Sequence, residues 1–137
     1  ALLHTTTNTG LASQLGVLCD VPTIGVAKNL LYVDGLRKEK ILNEINSKIE
    51  EIKSTVKLSR KNVQKVNISL QGTSGRVWGR ALCFPPRTVK PIYVSVGHRI
   101  SLDRAVSIVT KCCKYRVPEP VRHADLKSRE HLRSREN

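Results

Sequence analysis

The strongest constraint on this chain is a change of apolar period near residue 57. Ile41, Ile45, Ile49, Ile52 and Val56 step by four, four, three and four, with charged residues between them. That spacing lays one apolar stripe along a helix over 38–57. Directly afterwards Val66, Ile68 and Leu70 alternate with polar residues, which predicts a half-buried strand over 62–70. Gly72-Thr73-Ser74-Gly75 reads as a turn, 76–84 alternates again, and Pro85-Pro86 ends the resulting hairpin. A helix with one apolar stripe is expected to lie over the domain by that stripe.

The remaining segments extend the same pattern. Gly10–Leu18 predicts a short helix from Leu11, Leu15 and Leu18, with Ala12, Ser13 and Gly16 small enough for close packing. Asp20-Val21-Pro22 stops it. Thr23–Ala27 and Ile92–Val96 are continuous apolar runs, expected as buried strands with a neighbour on each side. Ser101 is an N-cap candidate for a helix over 102–113, with Asp103 in its first turn. Beyond Pro118-Glu119-Pro120, a basic helix is expected over 121–133. Helices and strands interleave, so the fold class is α/β, helices packed on a mixed sheet. The hairpin excludes an all-parallel one.

Charge narrows the function. The chain of 137 residues, about one domain in length, carries 24 Lys+Arg against 11 Asp+Glu, a formal +13. The excess is spread over 37–65, 76–104 and 111–137, which predicts a broad cationic surface and a polyanionic partner, nucleic acid first. A solvated surface that only promotes solubility is the alternative. No apolar run approaches the ~20 residues of a membrane span, and no secretory signal opens the chain. Cys19, Cys83, Cys112 and Cys113 lack metal-site spacing, so free thiols in a reducing intracellular setting are expected, in the nucleus, nucleolus or cytoplasm. The chain begins at Ala1 and contains no methionine, and the expectation is that processing or truncation removed its start.

Signatures for nucleotide hydrolysis, zinc proteolysis and α/β-hydrolase chemistry are absent. Three places stand out instead. Lys28 ends the run Ile24–Ala27, where strand-end loops hold ligands; a lysine there can meet a phosphate or steady an oxyanion. A snorkelling surface lysine is the bland alternative. His98, in Gly97-His98-Arg99 beyond a buried strand, is a phosphodiester-binding candidate, although a lone histidine more often serves structure. Arg122, Asp125 and Arg129 share one helix face at i, i+3 and i+7. There Asp125 is either an ion-paired surface group or a metal ligand whose neighbours receive phosphates. Two-metal nucleases need several converging carboxylates. Asp20, Asp34, Asp103, Glu119 and Asp125 are on offer, without an evident cluster.

Taken together, Gly10–Val17, Pro22–Lys28, Gly72–Gly75, Tyr93–Leu102 and Arg116–Asp125 resemble endonuclease V, in order and over nearly the whole chain. The strings GVAK, VGHRIS and PEPVR-x-AD carry the resemblance; a helical insertion at about 37–61 does not. The resemblance implies an RNase H-like mixed sheet flanked by helices. It also implies a Mg²⁺-dependent nuclease, with Mn²⁺ as a possible substitute, cutting the phosphodiester 3′ of inosine in RNA or DNA. By it, Lys28 and Asp125 are catalytic and Asp125 also binds metal. His4, Gly25, Ala27, His98 and Arg122 bind substrate, Gly25 and Ala27 through main-chain groups facing a flipped-out base. The Asp at 125 tilts the reading toward a eukaryotic, RNA-preferring form.

Departures accompany the match. Gln14 stands where the family commonly has His, and His4–Thr9 replaces an H-P-R segment without its Pro or Arg. The family's D-G-x-G aspartate and earlier acidic strands would precede Ala1. The expectation is therefore the C-terminal part of one such domain over 1–137, with N-terminal strands missing and inactive alone. A non-catalytic basic RNA-binding module derived from the nuclease is the alternative.

Overall fold

The computed structural model describes residues 10–136. Its elements run α1 (Leu11–Cys19), β1 (Thr23–Ala27), α2 (Lys38–Thr55), β2 (Val66–Gln71), β3 (Val77–Phe84), β4 (Thr88–His98), α3 (Leu102–Cys112) and α4 (Glu119–Glu136). The four strands form one sheet in the order β1-β4-β3-β2.

The two middle strands set the layers. Side chains alternate across a strand, so Ala81, Cys83 and Tyr93 face one side with Val66, Ile68 and Leu70, where the α2 stripe Ile41, Ile45 and Ile49 covers them. Leu82, Phe84, Ile92 and Val94 face the other side, against Ala105, Val106, Val109 and Cys113 at α3. The result is helix, sheet, helix. β4 holds the core together because Pro91–Ser95 are buried in succession, the pattern expected of a strand covered on both faces.

All three pairings, β1–β4, β4–β3 and β3–β2, are antiparallel. The α/β class holds, while the sheet among the described residues contains no parallel pair. Pro85-Pro86 ends β3 but does not end the sheet: the chain turns there into β4, which starts at Thr88 rather than near residue 92 and makes a second hairpin. β1 departs from the expected neighbour on each side. It pairs with β4 alone among the described residues, and only Gly25 in it is buried.

Helix limits follow from caps. Ser101 accepts from the Arg104 N–H at 3.3 Å and starts α3 as expected. α4 starts at Glu119, earlier than 121, because proline is tolerated in a first helical turn and Pro118 C=O accepts the Arg122 N–H at 3.0 Å. In α1 only Gly16 is buried, and a β-carbon there would stand 2.3 Å from His98 Cβ. That glycine lets α1 rest on β1 and β4.

Gly72–Gly75 is a hairpin turn filled by the chain's own carboxylate. Asp34 accepts from Thr73 Oγ1 (3.1 Å), the Ser74 N–H (3.2 Å), Ser74 Oγ and Trp78 Nε1 (3.0 Å). Its carbonyl accepts the Thr73 N–H at 2.8 Å. These donors, led by Ser74 Oγ and Trp78, hold the carboxyl down at about 2 from an ordinary 3.8. Asp34 thus ties the segment between β1 and α2 to the β2–β3 turn.

Two outcomes test this packing. Ile45→Ala, at a side chain 1% exposed, is expected to cost about 2–5 kcal/mol in urea denaturation, the range for a large-to-small core substitution. Asp34→Asn keeps the left-handed backbone at φ 51° but loses the charge. A depressed carboxylate stabilises the fold above its unfolded pKa and loses that contribution as pH falls through its folded one. The melting-temperature gap between wild type and Asp34→Asn should therefore be constant above about pH 5 and close as pH falls from about 4 to 2.

Candidate functional site

Lys28 is the first residue after β1, and its ammonium donates to Asp125 Oδ2 on α4, 97 residues away. Neither side chain is deeply buried, at 39% and 42% exposed, so the pair is open to a ligand. The hydrogen bond from Lys28, then its charge, then that of Arg129 hold the Asp125 carboxyl below its usual range. Around the pair lies a cavity of about 240 Å³ lined by Tyr115, Arg116, Arg122, Leu126 and Arg129. The helical spacing of Arg122, Asp125 and Arg129 does place all three on the face that meets Lys28.

Arg116 explains why the loop between α3 and α4 sits here. Its Nη2 donates to Lys28 C=O and to Pro91 C=O, both at 3.0 Å. One guanidinium therefore joins the end of β1, the entry to the buried part of β4 and the loop that leads into α4. Sequence reasoning gave Arg116 no role, and nothing in its local pattern separates it from other surface arginines. Tyr115 was also missed, although an aromatic set between Lys114 and Arg116 in so basic a chain is a signal for nucleic-acid contact.

The other candidates lie elsewhere. Gly25 pairs with Ser95 and Ala27 with Tyr93, so the main chain of both runs along the strand that delivers Lys28. His98 pairs with Thr23 at the opposite end of β1, roughly 16 Å from Lys28 at ~3.3 Å per residue. There it packs on Gly16, and its Nε2 lies 3.6 Å from Asp20, which also accepts from Arg99 at 2.9 Å. The structure does not bring His98 to the Lys28 cavity. His4 lies outside the described residues.

The acidic residues are dispersed. Asp20 is held by Arg99, Asp34 by the β2–β3 turn, Asp103 by Arg80 at 3.5 Å, and Glu119 by Arg122 and His123, each at 3.3 Å. Among the described residues no three His, Cys, Asp or Glu come together as a metal site. The described residues alone do not fit the Mg²⁺ implied by the resemblance; Asp125 is the one carboxylate at the cavity. The cysteines are all free; burial pushes the Cys83 and Cys113 thiols up to about 11, while Cys19 is exposed. Larger cavities of about 390 and 780 Å³ flank α2, but they gather no comparable set of opposed charges across distant segments. No described helix is long and apolar enough to cross a membrane.

Comparison with known proteins gives a consistent result. The family profile for endonuclease V matches residues 2–126. Human endonuclease V is 44% identical over 124 residues, which cover 90% of this chain and 40% of the human protein. A crystal structure of the human protein superposes with a TM-score of 0.80 at 41% identity, covering all of this chain and 52% of that one. Endonuclease V from Ciona intestinalis, crystallised with a 23mer DNA containing an inosine followed by a ribo-adenosine, gives 0.72 at 34% identity, covering 93% and 49%. The shared architecture is the RNase H-like α/β fold. The chain spans about half the length of these solved structures and less than half of the human relative.

If Arg116 pins the cavity, removing it leaves two carbonyls without their charged donor. Arg116→Ala is expected to lower stability by about 1.5–3 kcal/mol, the range for a hydrogen bond to a charged group. It should also shift the Lys28 and Asp125 resonances in NMR spectra, whereas a surface arginine such as Arg60 should do neither when replaced by Ala.

Proposed function

The chain belongs to the endonuclease V family, and on that premise we propose that it is the substrate-gripping part of an inosine-directed endonuclease. The observation that carries this is the meeting of Lys28 with Asp125 inside an arginine-rimmed cavity. Lys28 places a compact positive charge at the end of β1, where it can stabilise charge developing on a scissile phosphate. Arg122 and Arg129 offer planar guanidiniums to the flanking phosphates. Asp125 holds the Lys28 ammonium in place before substrate arrives. The main chain of Gly25 and Ala27, on the same strand, faces the flipped-out base. His98, beside the far end of β1, contacts the nucleic-acid backbone further along, together with the adjacent Arg99.

The substrate in this reading is inosine-containing RNA or DNA, cut 3′ of the lesion, with RNA favoured by Asp at 125. A divalent cation, Mg²⁺ or Mn²⁺, supplies charge neutralisation and an activated water in such chemistry. Asp125 would give it one ligand. Converging carboxylates beyond those described here are required, so the chain alone is proposed to bind and not to cut. A basic RNA-binding module without catalysis is the second reading, and the dispersal of Asp20, Asp34, Asp103 and Glu119 onto separate partners favours it for this segment taken alone. The free thiols and the cationic surface suit an intracellular setting in nucleus, nucleolus or cytoplasm.

Fluorescence anisotropy with labelled single-stranded inosine RNA tests the proposal. Binding should weaken with salt, at about −0.7 in log–log slope for each phosphate neutralised, or about −2 for Lys28, Arg122 and Arg129 together. Lys28→Ala should lower affinity and reduce the slope by close to one such step. Salt-independent binding, or no binding at low salt, would contradict it. Specific cleavage by this chain in Mg²⁺ would overturn the proposed inactivity.

A further inference from the structure

We propose that Tyr115 is a stacking platform for the base of a nucleotide flanking the scissile phosphate, a contact separate from recognition of the inosine itself. The proposal rests on the nucleic-acid reading above and adds a residue to it. The chain has five aromatic side chains. Phe84 and Tyr93 are buried in the core, Trp78 is spent on Asp34 and on Arg76, and Tyr32 stands near Arg37. Tyr115 alone of the five lines the cavity of Lys28 and Asp125, and it is 49% exposed there.

Burial does not account for that placement, since a tyrosine half in water forgoes much of the apolar stabilisation of its ring. The loop that carries it is nevertheless tied down. Tyr115 precedes Arg116, whose two 3.0 Å bonds to Lys28 C=O and Pro91 C=O hold the loop against β1 and β4. Two cations lie over the ring, at distances that leave neither in closed stacking contact. The Arg122 guanidinium is 5.2 Å from its centroid and the Lys114 ammonium 5.7 Å, against 4.0 Å for the closed Arg76–Trp78 stack. A pre-positioned ring, loosely flanked by two positive charges, is the combination by which single-stranded nucleic acid is held: a base on the ring and its phosphate beside the cations. At about 240 Å³ the cavity is smaller than the ~300–1,000 Å³ of small-molecule pockets. It suits one unit of a polymer lying across it rather than an enclosed ligand.

The test is a cycle between protein and oligonucleotide. Wild type, Tyr115→Phe and Tyr115→Leu are titrated with single-stranded inosine RNA carrying an abasic site at each of the three positions on either side of the inosine in turn. Melting curves confirm that the variants are folded, and the Phe variant keeps the ring if Leu disturbs the loop. Tyr115→Leu should bind the intact strand about 5- to 150-fold more weakly, the range for one stacked base, and Tyr115→Phe should bind like wild type. At one abasic position the penalty of Tyr115→Leu should vanish. A penalty that persists at every abasic position, or no penalty at all, overturns stacking while wild-type binding leaves the broader reading intact. Failure of the wild type to bind any of the strands overturns both.

Discussion

Everything in this molecule depends on the alternation of two central strands. Residues 81 to 84 and 92 to 94 send side chains by turns to α2 and α3, so one sheet serves two hydrophobic layers at once. A slip of one residue in the β3–β4 register would exchange the two faces and leave both helices unmatched. Because the register is fixed from both sides, the stretch of β4 from Pro91 to Tyr93 is fixed too, and with it the place where β1 delivers Lys28. The chemistry is thus positioned by core packing several residues away from it.

The cavity itself is a meeting of three segments that are far apart in sequence. β1 contributes Lys28, the loop after α3 contributes Tyr115 and Arg116, and α4 contributes Arg122, Asp125 and Arg129. α4 has no buried residue. Its stability as a helix comes from its proline-led first turn, from Glu119 at the start and arginines at the end, and its location from Arg116, which ties the loop before it to β1 and β4, with the Lys28–Asp125 pair across the cavity. Half-exposed ion pairs contribute little to stability. A pair so placed can exchange Asp125 for a phosphate at small cost, as a binding site requires.

Much of this was legible in the sequence, for physical reasons that differ by element. The α2 stripe and the β2–β3 alternation were plain because each element has one dry face and one wet face. The last member of the stripe, Val56, falls outside the helix, which ends at Thr55, because its backbone turns extended at φ −136°. β4 was recognised only over its buried middle, since Thr88, which pairs with Phe84, and the exposed Val89 and Lys90 carry no alternating apolar signal. The helical face of Arg122, Asp125 and Arg129 could be read from spacing alone. That Lys28 would meet it could not, because a contact across 97 residues leaves no local trace. Asp34 and Arg116 were invisible as organisers for the same reason: their partners lie far away in sequence and are mostly main-chain groups and turn hydroxyls, with Trp78 Nε1 the exception at Asp34. His98 shows the converse, a residue conspicuous in its motif whose described contacts are Gly16 and Asp20.

The central claim is that nucleic acid is gripped at the Lys28–Asp125 cavity and not merely by diffuse positive charge. Chemical-shift mapping of the chain during titration with a single-stranded inosine RNA addresses it directly. The account predicts the largest shifts at Lys28, Tyr115, Arg116, Arg122, Asp125 and Arg129, with α2 nearly unmoved. Shifts centred on Lys40 and Lys48 of α2, or on Asp20 and His98 at the other end of β1, with Lys28 and Asp125 unchanged, would contradict it.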